Sequence, residues 1–98
     1  MEKEIAQIKS KYPRAFAFRY KGKIVNMGQA EDVLLIPEGR GYLKGAEKLR
    51  YKKGREQFRF MYWVKSPDKK WRWGQFNVCM DKDAFTELIK QMKEKGWI

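Results

Sequence analysis

The chain predicts an α+β domain: a single antiparallel sheet of about four strands, with N- and C-terminal helices packed on one face and the other face open. Three observations predict it. A helical stripe of apolar residues closes the chain, and a shorter one begins it. Between them lie runs in which bulky apolar side chains alternate with polar ones at the two-residue period of a strand. With 98 residues there is room for one core, so residues 1–98 make a single domain.

The first stripe places Ile5, Ile8 and Tyr12 at helical spacing, with Glu2 and Glu4 in the first turn, where carboxylates suit the helix dipole. Pro13 blocks its continuation. From Arg14 to Tyr20, the rings of Phe16, Phe18 and Tyr20 alternate with Ala15, Ala17 and Arg19. Lys21-Gly22 then offers a turn into Lys23–Met27, a first hairpin. The run Val33-Leu34-Leu35-Ile36, closed by Pro37, reads as a short buried strand or a helical turn.

Residues 38–55 lose this periodicity. Glycines 39, 41, 45 and 54 are interspersed with Arg40, Lys44, Lys48, Arg50, Lys52, Lys53 and Arg55, and across residues 40–55 these seven cations face one acid, Glu47. The segment is expected to be a mobile basic arm whose glycines let the backbone approach phosphates, or else a solvated loop.

Residues 58–76 form the most informative stretch. In the first run Phe58, Phe60, Tyr62 and Val64 share one face, and Arg59, Met61, Trp63 and Lys65 share the other. A turn over Ser66–Lys70, with Pro67-Asp68 supplying its chemistry, leads to a second run. There Phe76, Val78 and Met80 fall together, opposite Trp71, Trp73, Gln75 and Asn77. Pairing about that turn sets Trp63 against Trp73, Lys65 against Trp71, Met61 against Gln75 and Arg59 against Asn77. Arg72 goes to the Phe/Val side.

The last helix carries Phe85, Leu88, Ile89 and Met92 at i, i+3, i+4 and i+7, with Asp81 or Asp83 as cap and Gly96 as stop. Its stripe is expected on the Phe/Val face. Trp97 and Ile98 either fold back onto the core or meet another subunit.

Charge narrows the functional classes. The chain has 23 Lys and Arg against 12 Asp and Glu, a net +11, which a polyanion partner explains most economically. There is no histidine, and Cys79 is the one cysteine, so imidazole catalysis and a disulfide framework within one chain are excluded. The glycines match no nucleotide-binding fingerprint, and no cofactor is expected. Carboxylates at Glu31, Asp32, Glu38, Asp68, Asp81 and Asp83 could hold Mg²⁺ for a nuclease, but they form no convergent cluster in the sequence, and the chain is read as a non-enzyme. No stretch approaches the roughly 20 apolar residues of a membrane span. The first residues lack the layout of a signal peptide, so a cytoplasmic protein is expected. Scarce Ser and Thr beside abundant Lys, Arg and Glu resemble a thermophile's composition.

Aromatics interleaved with cations are the residue types of a groove that stacks bases and neutralises phosphates. The expected function is therefore sequence-independent binding of single-stranded DNA, with RNA binding, or a protein-interaction subunit using the tryptophan face, as alternatives. Trp63, Trp71 and Trp73 would stack bases and Arg59, Lys65 and Lys70 would contact phosphates, joined by Arg40, Lys44, Arg50, Lys52, Lys53 and Arg55. Met61, Gln75 and Asn77 complete that face. The competing reading is that the N-terminal helix or a partner covers those tryptophans and makes them core.

From Phe58 to Lys95 the chain resembles the PC4-like single-stranded DNA-binding domain. Tyr62-Trp63-Val64-Lys65-Ser66-Pro67-Asp68 is similar to that family's aromatic strand and Pro-containing turn. Met80-Asp81-Lys82-Asp83-Ala84-Phe85, followed by Leu88, is similar to its strand-to-helix junction. The resemblance implies a curved four-stranded sheet plus helix, a homodimer, and single strands held on the basic aromatic face. In outline and composition the whole chain also resembles archaeal ThermoDBP-type single-stranded DNA-binding proteins.

Overall fold

The computed structural model describes residues 1–75 and 78–98. Helix α1 (Glu2–Lys9) is followed by strands β1 (Arg14–Tyr20), β2 (Lys23–Pro37), β3 (Tyr42–Tyr51), β4 (Glu56–Lys65) and β5 (Trp71–Gly74), and then by helix α2 (Lys82–Glu94). All five strands pair antiparallel in chain order, so each connection is a hairpin. The expectation of an antiparallel α+β domain holds, with five strands in place of about four.

The fifth strand is the supposed basic arm. Residues 42–51 are β3, the central strand, with Leu43, Ala46, Glu47 and Leu49 all buried. What concealed it is Gly45, which is needed for close packing: a Cβ there would lie 1.7 Å from the Leu34 carbonyl oxygen. Its neighbour β2 absorbs both the short Lys23–Met27 strand and the Val33–Ile36 run into one 15-residue strand. Those four residues do not alternate because the sheet is covered on both sides there, which removes the need for a polar face.

That double cover corrects the expected placement of the helices. Ile8 of α1 packs with Val33, Leu35, Leu43, Met61 and Trp63 on one face, while Leu88 and Met92 of α2 pack with Leu34, Ile36 and Ala46 on the other. Val33 and Leu34 are adjacent and point oppositely, so α1 and α2 lie on opposite faces. α2 does take the face that carries Phe58 and Phe60, since Ala46 pairs with Phe60 and Lys48 with Phe58. It sits over β2 and β3, and Trp97 folds back to stack on Phe58 with ring centroids 5.6 Å apart.

The long hairpin pairs as its turn chemistry dictates: Trp63 faces Trp73, Lys65 faces Trp71, and Arg72 faces Val64. β5 stops at Gly74, so the expected pair of Met61 with Gln75 forms no part of the ladder, and Val78 and Met80 lie outside regular structure. Phe76 and Asn77 are outside the described residues.

The sheet is strongly curled. Arg59, on β4, lies over Phe16 of β1 at 4.8 Å and over Trp73 of β5 at 4.5 Å, although β1 and β5 are the two edges. The face under α1 is thus the concave one.

Candidate nucleic-acid interface

Two regions bring cations and aromatic rings together. The first is the concave face where the tryptophans were expected to meet bases. Glu47, on β3, is fully buried there. Its carboxylate accepts a 2.5 Å bond from the Tyr12 hydroxyl and a 2.9 Å bond from Arg59 Nε. A buried carboxylate is tolerable only when paired in this way. Burial, and after it the Glu47 charge, pushes the Tyr12 phenol well above its ordinary range, so it stays protonated and donating. The Trp63 and Trp73 indole N–H groups are buried with no hydrogen-bond partner among the described residues.

Trp63 is 4% exposed and Met61 is completely buried, which corrects both assignments: neither presents a surface to a base. α1 and the start of β1 cover them, and two of the cations expected to contact phosphates, Arg59 and Lys65, lie over tryptophan rings of the fold itself. Lys11 and Arg14 lie over Trp63 at 4.9 and 5.4 Å, Arg59 over Trp73, and Lys65 over Trp71 at 5.9 Å. These are cation–π contacts of the chain with itself. Trp71 and Trp73 are half-buried against the same cluster.

The remaining expected site residues scatter. Arg40 is exposed in the β2–β3 turn, and Lys44 donates to the Cys79 carbonyl at 2.7 Å beside Glu38. Arg50 is held by Glu31 and Glu56, which raise its pKa further, so its charge is already answered. Gln75 is exposed beyond β5, and Lys70 is exposed in the β4–β5 turn. Asn77 lies outside the described residues. Lys52, Lys53 and Arg55 are exposed together in the β3–β4 turn, with the Arg55 guanidinium 4.3 Å from the Tyr51 ring.

That turn belongs to the second region. The β1–β2 and β3–β4 turns lie at the same end of the sheet, and Lys52 N–H donates to the Met27 carbonyl across the gap. On the β1–β2 hairpin Phe18 is 46% exposed and Tyr20 57%, their rings edge to face at 6.4 Å, with the Lys21 ammonium 5.4 Å from the Tyr20 ring and Lys23 paired with Tyr20. Arg19 and its pair Ile24 are exposed on the other side of the hairpin. Between the two turns a hollow of about 420 Å³ is lined by Asn26, Met27, Tyr51, Lys52, Lys53 and Arg55. Phe18, Arg19, Tyr20, Lys21 and Lys23 had no place in the expected site. The signal was nonetheless present: residues 5–30 hold six cations and no acid, and residues 48–55 hold five and none.

Backbone geometry sets the same turns apart. Lys21 (φ 48°) and Lys69 (φ 65°) are the non-glycine residues in the left-handed region among those described, and both are lysines in hairpin turns. Lys21-Gly22 occupies the two central positions of a tight turn that ordinarily takes Asn-Gly. A lysine there costs about 1–2 kcal/mol of backbone strain.

Among the described residues no group of three or more Cys, Asp or Glu side chains could hold a metal ion, and no helix is long and apolar enough to cross a membrane. Comparison of the chain with protein-family models, with curated proteins and with solved structures gave no match.

Proposed function

We propose that the protein binds single-stranded nucleic acid, without sequence preference and without chemical turnover, at the end of the sheet formed by the β1–β2 and β3–β4 turns. The observation that carries this reading is the exposure, at that end, of the Phe18 and Tyr20 rings and of Arg19, Lys21, Lys23, Lys52, Lys53 and Arg55, on two segments of chain that hold no acidic residue. Unstacked bases offer π faces that such rings can cover whatever the base, and the cations answer the phosphates and release counterions. A duplex hides its base faces, so the exposed rings favour single strands. The Trp63–Trp73 face does not support the reading, because Trp63 is buried and Trp73 lies under Arg59.

Anisotropy titrations of a labelled oligonucleotide test this reading. Single-stranded DNA and RNA should bind more tightly than duplex. Log affinity should fall with log salt at roughly 0.7 per phosphate contacted, giving a slope on the order of −2 to −4 for this number of cations. Preference for duplex, or affinity indifferent to salt, would overturn it. Binding to anionic lipid vesicles with none to oligonucleotides would reassign the hairpin tip, Ile24 included, to a membrane surface.

A further inference from the structure

A second basic hollow lies at the opposite end of the sheet, between α1 and the β4–β5 turn. It has a volume of about 420 Å³, and its lining includes Gln7, Lys11, Lys69, Lys70, Trp71 and Arg72. The turn is ordered before any ligand arrives. Ser66 N–H donates to the Lys70 carbonyl and Lys69 N–H to the Ser66 carbonyl, both at 2.8 Å, and Lys70 N–H donates to the Asp68 carboxylate at 3.0 Å. Asp68 also pairs with Arg72 at 3.0 Å. That leaves Lys11, Lys69 and Lys70 with no carboxylate within ion-pair distance among the described residues. Lys69 is one of the two non-glycine residues held at positive φ among those described, where a glycine would sit without strain.

We infer that this hollow binds the terminal phosphomonoester of a nucleic acid strand, with Lys11, Lys69 and Lys70 around the phosphate and Trp71 against the last base. The inference rests on the proposed binding of single strands at the hairpin end. Charge distinguishes a terminus from the middle of a strand. An internal phosphodiester carries one negative charge, which one cation answers, whereas a terminal monoester carries close to two, with three acceptor oxygens. Three ammonium groups that line one small volume and have no carboxylate partner, Lys11 resting only on the Trp63 ring, suit the second. Shape agrees, because α1 walls one side of the hollow and an open track would need both sides free. The route from the hairpin end follows β1, whose concave-side residues run Tyr20, Phe18, Phe16, Arg14 and lead back to Lys11.

The test is competition by unlabelled oligonucleotides of one sequence, carrying a 5′-phosphate, a 3′-phosphate, or hydroxyls at both ends, against a labelled strand on the intact protein. One phosphorylated form should compete roughly tenfold better than the hydroxyl form, and which form does so identifies the end. The Lys69→Ala/Lys70→Ala variant should lose that preference while binding the hydroxyl form within about twofold of the parent. Lys69→Gly/Lys70→Ala guards against turn distortion, since glycine accepts the same φ, and should lose it equally. Equal competition by all three forms overturns the terminal site and leaves the hairpin-end reading standing. Failure of every form to compete overturns both.

Discussion

The concave cluster around Glu47 and the hairpin end are built from the same residue types and differ in what lies over them. Around Trp63, α1, Lys11 and Arg14 close over the ring, so its cations and aromatics satisfy one another. At the hairpin end Phe18 and Tyr20 project beyond any covering layer, and the cations beside them have few acids to answer them. Cation–aromatic composition therefore carries no direction by itself. Cover decides whether it contributes to stability or to recognition, and the two regions should respond oppositely to substitution.

The largest effect is expected at the centre. Glu47→Ala would leave Arg59 and Tyr12 without their acceptor in the interior, and breaking a buried pair in this way costs about 3–5 kcal/mol. Denaturant unfolding should show the loss. A near-neutral result would mean that the carboxylate is not the hub of the cluster.

Trp63→Ala and the pair Phe18→Ala and Tyr20→Ala then break the comparison directly. Removing a buried Trp costs about 3–5 kcal/mol of stability, and the folded fraction should bind oligonucleotide as the parent does. Removing Phe18 or Tyr20 should leave the unfolding midpoint nearly unchanged and weaken binding by about 1–3 kcal/mol each. If Trp63→Ala abolished binding at full folding, the assignment of the two regions would be reversed.

These contrasts show what was legible in the sequence. The β1–β2 hairpin, the Trp63–Trp73 register and the α2 stripe of Leu88, Ile89 and Met92 follow from local chemistry: a Lys-Gly turn, a Pro-Asp turn, and helical spacing, although Phe85, expected in that stripe, is exposed. β3 was not legible, because the glycine and charge that suggest a loop answer long-range demands: Gly45 lies against Leu34, and Glu47 takes bonds from Tyr12 and Arg59. Parity correctly put the tryptophans on one face. It could not show that α1 would choose that face, since both faces of this sheet carry apolar residues. The candidate site moved for that reason, and the acid-free run from residue 5 to residue 30 was the better guide.

Alkaline pH probes the covered region through Tyr12. The Tyr12 phenol is held protonated in the folded state above its ordinary value of 10.0, whereas the unfolded chain ionises near that value. Its stabilising contribution is therefore complete below pH 10 and is lost as pH rises further, at up to about 1.4 kcal/mol per unit. Tyr12→Phe should remove that part of the decline, so the stability gap between parent and variant narrows above pH 10. A constant gap would show that the Tyr12 proton is not tied to folding.

The smallest effect sharpens the comparison most. Lys21→Asn converts the Lys-Gly turn to Asn-Gly, which accepts positive φ at both central positions, so the hairpin should gain about 1 kcal/mol by relief of strain. The same change removes one cation from the basic end, and its salt slope should become shallower by roughly 0.7. A residue kept at a structural cost for recognition predicts this opposition: the melting temperature rises while affinity falls. A rise in stability with affinity and salt slope unchanged would mean that the Lys21 ammonium does not meet phosphate, and the hairpin-end reading would then rest on Lys52, Lys53 and Arg55 across the gap.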